Sequence, residues 1–266
     1  MIFDRLTEFL GGRRAQPAAP ARERIALQQR PAVLYAIGDI HGRVDLLRAL
    51  EAKIREDGAA VPGDKLIVQL GDFIDRGPHS AQVVDHLLSR LPPGWSRRVI
   101  AGNHEVTFCE AVGNPRLFET WLGFGGLETL GSYGVGQREL RAALGKSQRL
   151  LELVQASMPS EHLDFMRRLP IWLELGNLTF VHAGFRPGIA VEKQEDKDLL
   201  WYTGARDDIR NDDRIVIHGH EIVAEPEIHP GRINVDTGAY ASGILSAVRL
   251  GLDAPPRIIQ VSATGR

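Results

Sequence analysis

Three short motifs, Gly38-Asp39-Ile40-His41-Gly42, Gly71-Asp72-Phe73-Ile74-Asp75-Arg76-Gly77 and Gly102-Asn103-His104-Glu105, occur in that order. Val181-His182-Ala183-Gly184 and Ile217-His218-Gly219-His220 follow farther along the chain. Their polar groups are carboxylates, a carboxamide and imidazoles, with no thiolate. That mixture suits manganese, iron or zinc better than calcium or a structural zinc site. Asp39 and His41 are two residues apart, so on an extended backbone both side chains point to one side and can share an ion. Asp72 offers a carboxylate able to bridge, and Asn103, His182 and His220 complete a pair of sites. His218 has the same strand parity as His220, so spacing alone leaves it open as a competing ligand.

Two metal ions about 3.5–4 Å apart lower the pKa of a shared water toward neutrality and hold phosphoryl oxygens for in-line attack. Such a reaction also needs a proton donor for the leaving oxygen and positive charge on the equatorial oxygens. His104 directly follows Asn103 and can face the site without binding metal, while Asp75 can accept its other ring proton. Arg76 is the natural phosphate fork, because guanidinium pairs with two oxygens at once.

The elements that must position these groups are short apolar runs. Residues 32–37, 65–70 and 98–101 read as strands, each followed by a glycine-rich turn and then a helical period. This implies a mostly parallel sheet with ligands at the carboxyl ends of its strands. Residues 115–168 are helical in character, interrupted by glycines from Gly123 to Gly136, and predict a helical cap with a flexible middle. Residues 171–175, 178–181, 214–217, 232–235, 244–250 and 257–261 read as further strands, giving a mixed α/β protein with two packed sheets. Phe108, Phe118, Trp121, Phe124, Phe165 and Met166 are expected in the cap core, and His79, His86, His162 and His229 on the surface. The chain divides into an N-terminal segment and flexible linker, 1–30, with an amphipathic stretch over 1–10, and a catalytic domain, 31–266.

Composition narrows the field. Of 266 residues, 43% are hydrophobic and 25% charged, an ordinary globular composition that excludes disorder and fibrous repeats. The net charge of -2 offers no field for nucleic acid. The lone Cys109 cannot form an intramolecular disulfide and reads as a buried thiol. No apolar run approaches the roughly 18 residues of a membrane-spanning helix, and the charged N-terminus argues against a secretory signal; a cytoplasmic location is expected. Residues 1–10 leave room for docking on a membrane surface or a partner.

The order and spacing of the motifs resemble the phosphoprotein phosphatase family of metallophosphoesterases, in its bacterial serine/threonine phosphatase branch, over about residues 32–249. The resemblance implies the calcineurin-like α/β fold, a central β-sandwich of two mixed sheets flanked by helices. It also implies that Asp39, His41 and Asp72 bind a first metal and that Asp72, Asn103, His182 and His220 bind a second, with manganese the usual activator. On this pattern His220 is preferred to His218, His104 with Asp75 protonates the leaving group, and Arg76 and Asn103 contact phosphate. Asn234-Val235-Asp236-Thr237-Gly238-Ala239 resembles the family's late strand and turn near the site. One departure is Thr203, which stands where bacterial members usually carry an arginine after Leu-Trp; Arg206 or Arg210 either reaches in as a substitute or remains a solvated surface charge. The implied activity is hydrolysis of phosphoserine or phosphothreonine in proteins by a metal-held hydroxide. Symmetrical hydrolysis of diadenosine tetraphosphate is the alternative, and a non-catalytic phosphate-binding module a remote one.

Overall fold

A computed structural model describes residues 22–204, 213–251 and 254–263. Two mixed sheets face each other at its centre. In the first, β2 (Val33–Ile37), β3 (Lys65–Gln69) and β4 (Trp95–Val99) run parallel. Two antiparallel strands, β10 (Ile244–Gly251) and β11 (Arg257–Ser262), extend it in the order β11-β10-β2-β3-β4. The second sheet has the order β1-β5-β6-β7-β9-β8, built from β1 (Arg24–Ala26), β5 (Trp172–Leu175), β6 (Leu178–Val181), β7 (Ile215–His218), β8 (Glu227–His229) and β9 (Arg232–Asn234). In it β6, β7 and β9 are parallel.

The near-continuous apolar character of β2 follows from burial on both faces. Leu34 and Ala36 pack with Leu66, Val68, Phe180, Ile217 and Ile233 in the core between the sheets. Val33, Tyr35 and Ile37 point the other way and pack with Leu47, Leu50 and Ile54 of α1 (Val44–Gly58). Residues 47, 50 and 54 recur at the helical spacing that makes one apolar stripe, and each such buried side chain contributes roughly 1.5–3 kcal/mol. α2 (Ser80–Leu88) follows β3 and buries Val83, Val84 and Leu87. α3 (Asn103–Gly113) begins just past β4. Crossover helices thus return the chain after each parallel strand, so the carboxyl ends of β2, β3 and β4 lie at one edge of the sandwich.

The segment 115–168 is helical through α4 (Phe118–Trp121), α5 (Leu127–Ser132), α6 (Gln137–Ala143), α7 (Ser147–Ser157) and α8 (Ser160–Arg167). Phe108, Phe118, Trp121 and Met166 are buried, as expected, whereas Phe124 and Phe165 are only half-buried. The glycine-rich middle is a π-helical turn, Leu122–Gly126, and Gly125 accepts a hydrogen bond from the Arg76 N–H at 3.1 Å.

Several expectations are corrected. Residues 24–26, assigned to the linker, form edge strand β1, paired in parallel with β5; three residues are too few for a readable alternation. β4 starts at Trp95 rather than Arg98. Its charged residues hid it, because Arg97 is turned inward onto the buried carboxylate of Glu51, at 2.7 and 2.9 Å. β8 was not anticipated, and its Glu227 carboxylate pairs with Arg232 of β9 at 2.7 Å. His162 is buried rather than on the surface, with Nδ1 2.8 Å from the Tyr133 hydroxyl, and half-buried His86 places Nε2 2.9 Å from Glu51. The amphipathic stretch 1–10, Arg206 and Arg210 lie outside the described residues. Among those described, no helix is long and apolar enough to cross a membrane.

Candidate active site

The parallel strands of the first sheet deliver Asp39, Asp72 and Asn103 just past their ends, and β6, β7 and β9 of the second deliver His182, His220 and Asp236. Asp72 stands at the centre. Its Oδ2 is 3.3 Å from His182 Nε2 and 3.7 Å from both His41 Nε2 and His104 Nε2. His182 Nε2 is also 2.8 Å from Asn103 Oδ1 and 3.1 Å from His220 Nδ1. Two donor groups result, His41 with Asp72 and His104, and Asp72 with His182 and His220, each with ligand atoms within 4.8 Å of one another. Asp39 lies against the His220 loop, both its oxygens 3.3 Å from the His220 N–H.

Asp39 and His41 do not converge along an extended strand. His41 has φ 43°, and among the described residues the only other non-glycine positions with positive φ are Asp72, Asp75, Arg76 and His220. All five belong to this site, so left-handed turns, rather than strand alternation, aim its side chains. Two glycines allow the carboxylates to sit close to backbone. A Cβ on Gly102 would overlap the Asp72 carboxylate, and one on Gly219 the Asp39 carboxylate.

The imidazoles are held in one orientation from behind. His41 Nδ1 donates to the Ile74 carbonyl at 2.8 Å and His182 Nδ1 to the Leu70 carbonyl at 2.9 Å, which turns both Nε2 atoms toward Asp72. This is the arrangement in which metal-ligating histidines are fixed by an outer carbonyl. His218 is turned away, with Nδ1 2.9 Å from the Gly219 oxygen and Nε2 3.4 Å from Arg232. Burial pushes Asp72 up, but His182, His104 and His41 pull it well below the usual carboxylate range. Asp39 goes well above that range through burial, with Asp236 and Asp72 adding to it. Burial pulls His182 down, yet Asp72 and Asp39 push it up to about 10. His220 is pulled to about 3 by burial and by His182. Buried carboxylates in a cluster need cationic partners. The nitrogen and oxygen donors, gathered into two groups that share Asp72, fit two divalent cations.

His104 has a different environment. Its Nδ1 lies 2.8 Å from Asp75 Oδ2, and its buried Nε2 faces the centre without a hydrogen-bond partner. Asp75 is itself tied down by the Thr129 hydroxyl at 2.6 Å and the Trp121 indole N–H at 3.0 Å. Burial lowers the His104 pKa, but the charges of Asp72 and Asp75 carry it above the ordinary histidine value. The Arg76 guanidinium lies 4.9 Å from the Tyr240 ring centroid, with Nη1 3.1 Å from His41 Nε2. Thr203 is exposed and carries no charge in place of the expected second arginine.

Sequence reasoning missed the supporting residues. Trp121 and Thr129 looked like cap core and ordinary helix, since nothing local shows that their polar atoms reach Asp75. Asp236, by contrast, lies in the turn that the motif resemblance put near the site; it is buried beside Asp39 and pushed up to about 6 by burial. Glu105, at the third position of α3, binds four amides with one carboxylate. The N–H groups of Asp72 and Gly102 donate to Oε2 at 2.9 Å, and those of Phe73 and Ile74 to Oε1 at 2.9 and 3.2 Å. Burial and Asp72 push Glu105 up to about 7, while these four bonds favour its ionised form. Glu105→Gln turns an NH₂ group toward two of the donors and leaves them unsatisfied. The expected loss is about 3 kcal/mol at roughly 1–3 kcal/mol per unsatisfied buried group. A thermal melt checks it, and an unchanged midpoint would show that the four amides do not depend on the charge.

A family model described as calcineurin-like phosphoesterase matches residues 32–246. The asymmetrical bis(5'-nucleosyl)-tetraphosphatase PrpE of Anoxybacillus flavithermus is 27% identical over 234 residues, covering 80% of this chain and 88% of that one. The symmetrical bis(5'-nucleosyl)-tetraphosphatase of Acidovorax ebreus is 29% identical over 164 residues, 60% of this chain and 47% of that one. Among solved structures, one ascribed to a diadenosine tetraphosphatase covers 91% of this chain and 98% of its own, with TM-score 0.62 and 19% identity, a likeness of fold. With two mixed sheets, three motif-bearing loops and the matching model spanning most of its length, the chain belongs to the calcineurin-like phosphoesterase family.

Proposed function

We propose that the protein hydrolyses a phosphoanhydride bond of a dinucleoside tetraphosphate. One observation carries the choice of substrate: two partly exposed aromatic rings border the centre, one beside His41 and one beside His220. Tyr240 packs edge-on against His41 with ring centroids 5.3 Å apart and is 36% exposed. Trp201 lies 6.4 Å from the His220 ring and 5.6 Å from Phe124 and is 38% exposed. Bases stack on such faces for about 1–3 kcal/mol each, and a dinucleotide has a base at either end of its phosphate chain. The activities named for the relatives support the same reading. The motif resemblance favoured phosphoserine and phosphothreonine instead; that substrate would use the same centre but has no use for two aromatic platforms.

In the proposed mechanism Asp39, His41 and Asp72 would hold one divalent cation and Asp72, Asn103, His182 and His220 the other. Bound there, the cations supply Lewis acidity toward the phosphoryl group and its nucleophile. Arg76 takes two equatorial oxygens, balancing the charge that spreads over them in the transition state. His104 presents its Nε2 proton to the departing oxygen. Asp75 accepts from Nδ1, keeping that proton on the correct nitrogen and stabilising the imidazolium. Trp121 and Thr129 fix Asp75 in turn, so the acid is oriented by residues of α4 and α5.

The test is a comparison of kcat/KM for diadenosine tetraphosphate and a phosphothreonine peptide with manganese-loaded protein. At least tenfold preference for the dinucleotide is expected; preference for the peptide would restore the protein phosphatase reading.

A further inference from the structure

A cavity of about 610 Å³ opens beside Tyr240, bounded by Arg43, Asp45, His79, Tyr240, Ala241 and Ser242. Its size falls within the ~300–1,000 Å³ of small-molecule sites. Tyr240 is common to this cavity and to the catalytic centre. The guanidinium of Arg76 bridges them, stacked at 4.9 Å on the Tyr240 ring and reaching His41 Nε2 at 3.1 Å.

Resting on the dinucleotide reading above, we propose that this cavity seats one nucleoside of the substrate, its base against Tyr240 and its ribose toward Asp45. Connectivity carries the argument first. A phosphate gripped by Arg76 lies beside the Tyr240 ring, so a nucleoside one ester link away reaches the cavity without spanning a gap. The charge balance of the cavity carries it second. The Asp45 carboxylate accepts from Arg43 Nε at 2.9 Å and Nη2 at 2.7 Å, and Arg43 Nη1 donates to the Ala239 carbonyl at 3.0 Å. The arginine is therefore paired and directed at the first residue of the short helix Ala239–Ser242 that carries Tyr240, so among the described lining residues no unpaired arginine or lysine remains to hold a second phosphate group. Such a cavity suits a neutral, hydrogen-bonding body with an aromatic face. The Asp45 side chain is 53% exposed, so its remaining lone pairs are open to the ribose hydroxyls, which donate.

Ala241 is exposed on the cavity wall, so Ala241→Trp fills the space from a position that tolerates a larger side chain. The manganese-loaded native protein is titrated calorimetrically with adenosine, and kcat/KM is measured for diadenosine tetraphosphate and for inorganic tripolyphosphate, which has no nucleoside. Saturable binding of one adenosine per chain is expected, weakened at least tenfold by Ala241→Trp. The ratio of kcat/KM for the dinucleotide to that for tripolyphosphate should fall at least tenfold in the variant. Absence of adenosine binding to the native protein, binding indifferent to the substitution, or equal loss on both substrates would overturn the assignment. Adenosine binding sensitive to Ala241→Trp in a protein that does not cleave the dinucleotide would leave the nucleoside site standing and remove the proposed substrate. Dinucleotide cleavage with an unchanged ratio would do the reverse. Should Ala241→Trp not fold, as a melt would show, His79→Trp fills the cavity from another exposed lining position and is read in the same way.

Discussion

Asp72→Asn is expected to lower kcat/KM by about 10³–10⁴-fold, corresponding to roughly 4–5.5 kcal/mol of lost transition-state stabilisation. The carboxylate is the one group that faces His41, His104 and His182 together, within 3.3–3.7 Å. Asparagine preserves the shape and still offers Oδ1 to the His104 N–H, which donates to that atom at 3.1 Å. It removes the charge that a bridging position requires. Elemental analysis of the purified variant should accordingly show at most one divalent ion per chain, with the melting midpoint within a few degrees of the native protein in chelator. Two retained ions and activity within tenfold of native would place the bridge elsewhere. Chelation of the native protein should abolish turnover and lower its melting midpoint, since ions bound only to the folded chain stabilise it by mass action.

His104→Asn removes the proposed acid, and its effect should depend on the leaving group. General acid catalysis contributes about 10²–10⁴-fold. An alkoxide leaving a phosphoserine needs a proton badly, whereas a nucleoside polyphosphate leaves as a stabilised anion. The loss should therefore approach the upper end of that range on a phosphoserine or phosphothreonine peptide and the lower end on diadenosine tetraphosphate. The pH profile gives a second readout. The pKa of His104 is raised above 6.5 by Asp72 and Asp75 against the effect of burial. The acid thus keeps its proton to a higher pH than an ordinary histidine, and the rate it supports is lost as pH rises through that elevated value. The variant should lack this alkaline limb. Equal losses on both substrates with an unaltered limb would mean that His104 shapes the site without giving up a proton.

The groups at the strand ends were legible because the chemistry demands particular residue types and because a glycine-bounded turn after an apolar run has few alternatives. Asp72, Asn103, His182 and His220 could be placed together from that alone, although geometry, not spacing, separates His220 from His218. What escaped were residues whose roles depend on distant partners. Thr129 is 54 positions from Asp75 and Trp121 is 46, and a threonine or tryptophan in a helical stretch gives no hint of such a reach. The same holds for β4, where a buried ion pair replaced the apolar pattern that reveals a strand, and for β1, which is too short to show one. Tyr240 and Trp201 were invisible as a pair because they sit on two separate short helices, Ala239–Ser242 and Asp196–Trp201, and border the centre through different histidines, His41 and His220.

The left-handed backbone of His41, Asp72, Asp75, Arg76 and His220 has a consequence for how the molecule trades robustness against reactivity. Each such residue opposes its local preference by roughly 1–2 kcal/mol, so the sandwich must hold five residues, spread over three loops, in conformations that they would not adopt on their own. Replacement of Arg76 by glycine relieves that opposition where it removes the proposed phosphate fork, so the variant, expected to lose activity, should resist heat better than the native enzyme. The catalytic loops are thus a local frustration embedded in an otherwise consistent landscape, ordered by the two sheets rather than helping to order them.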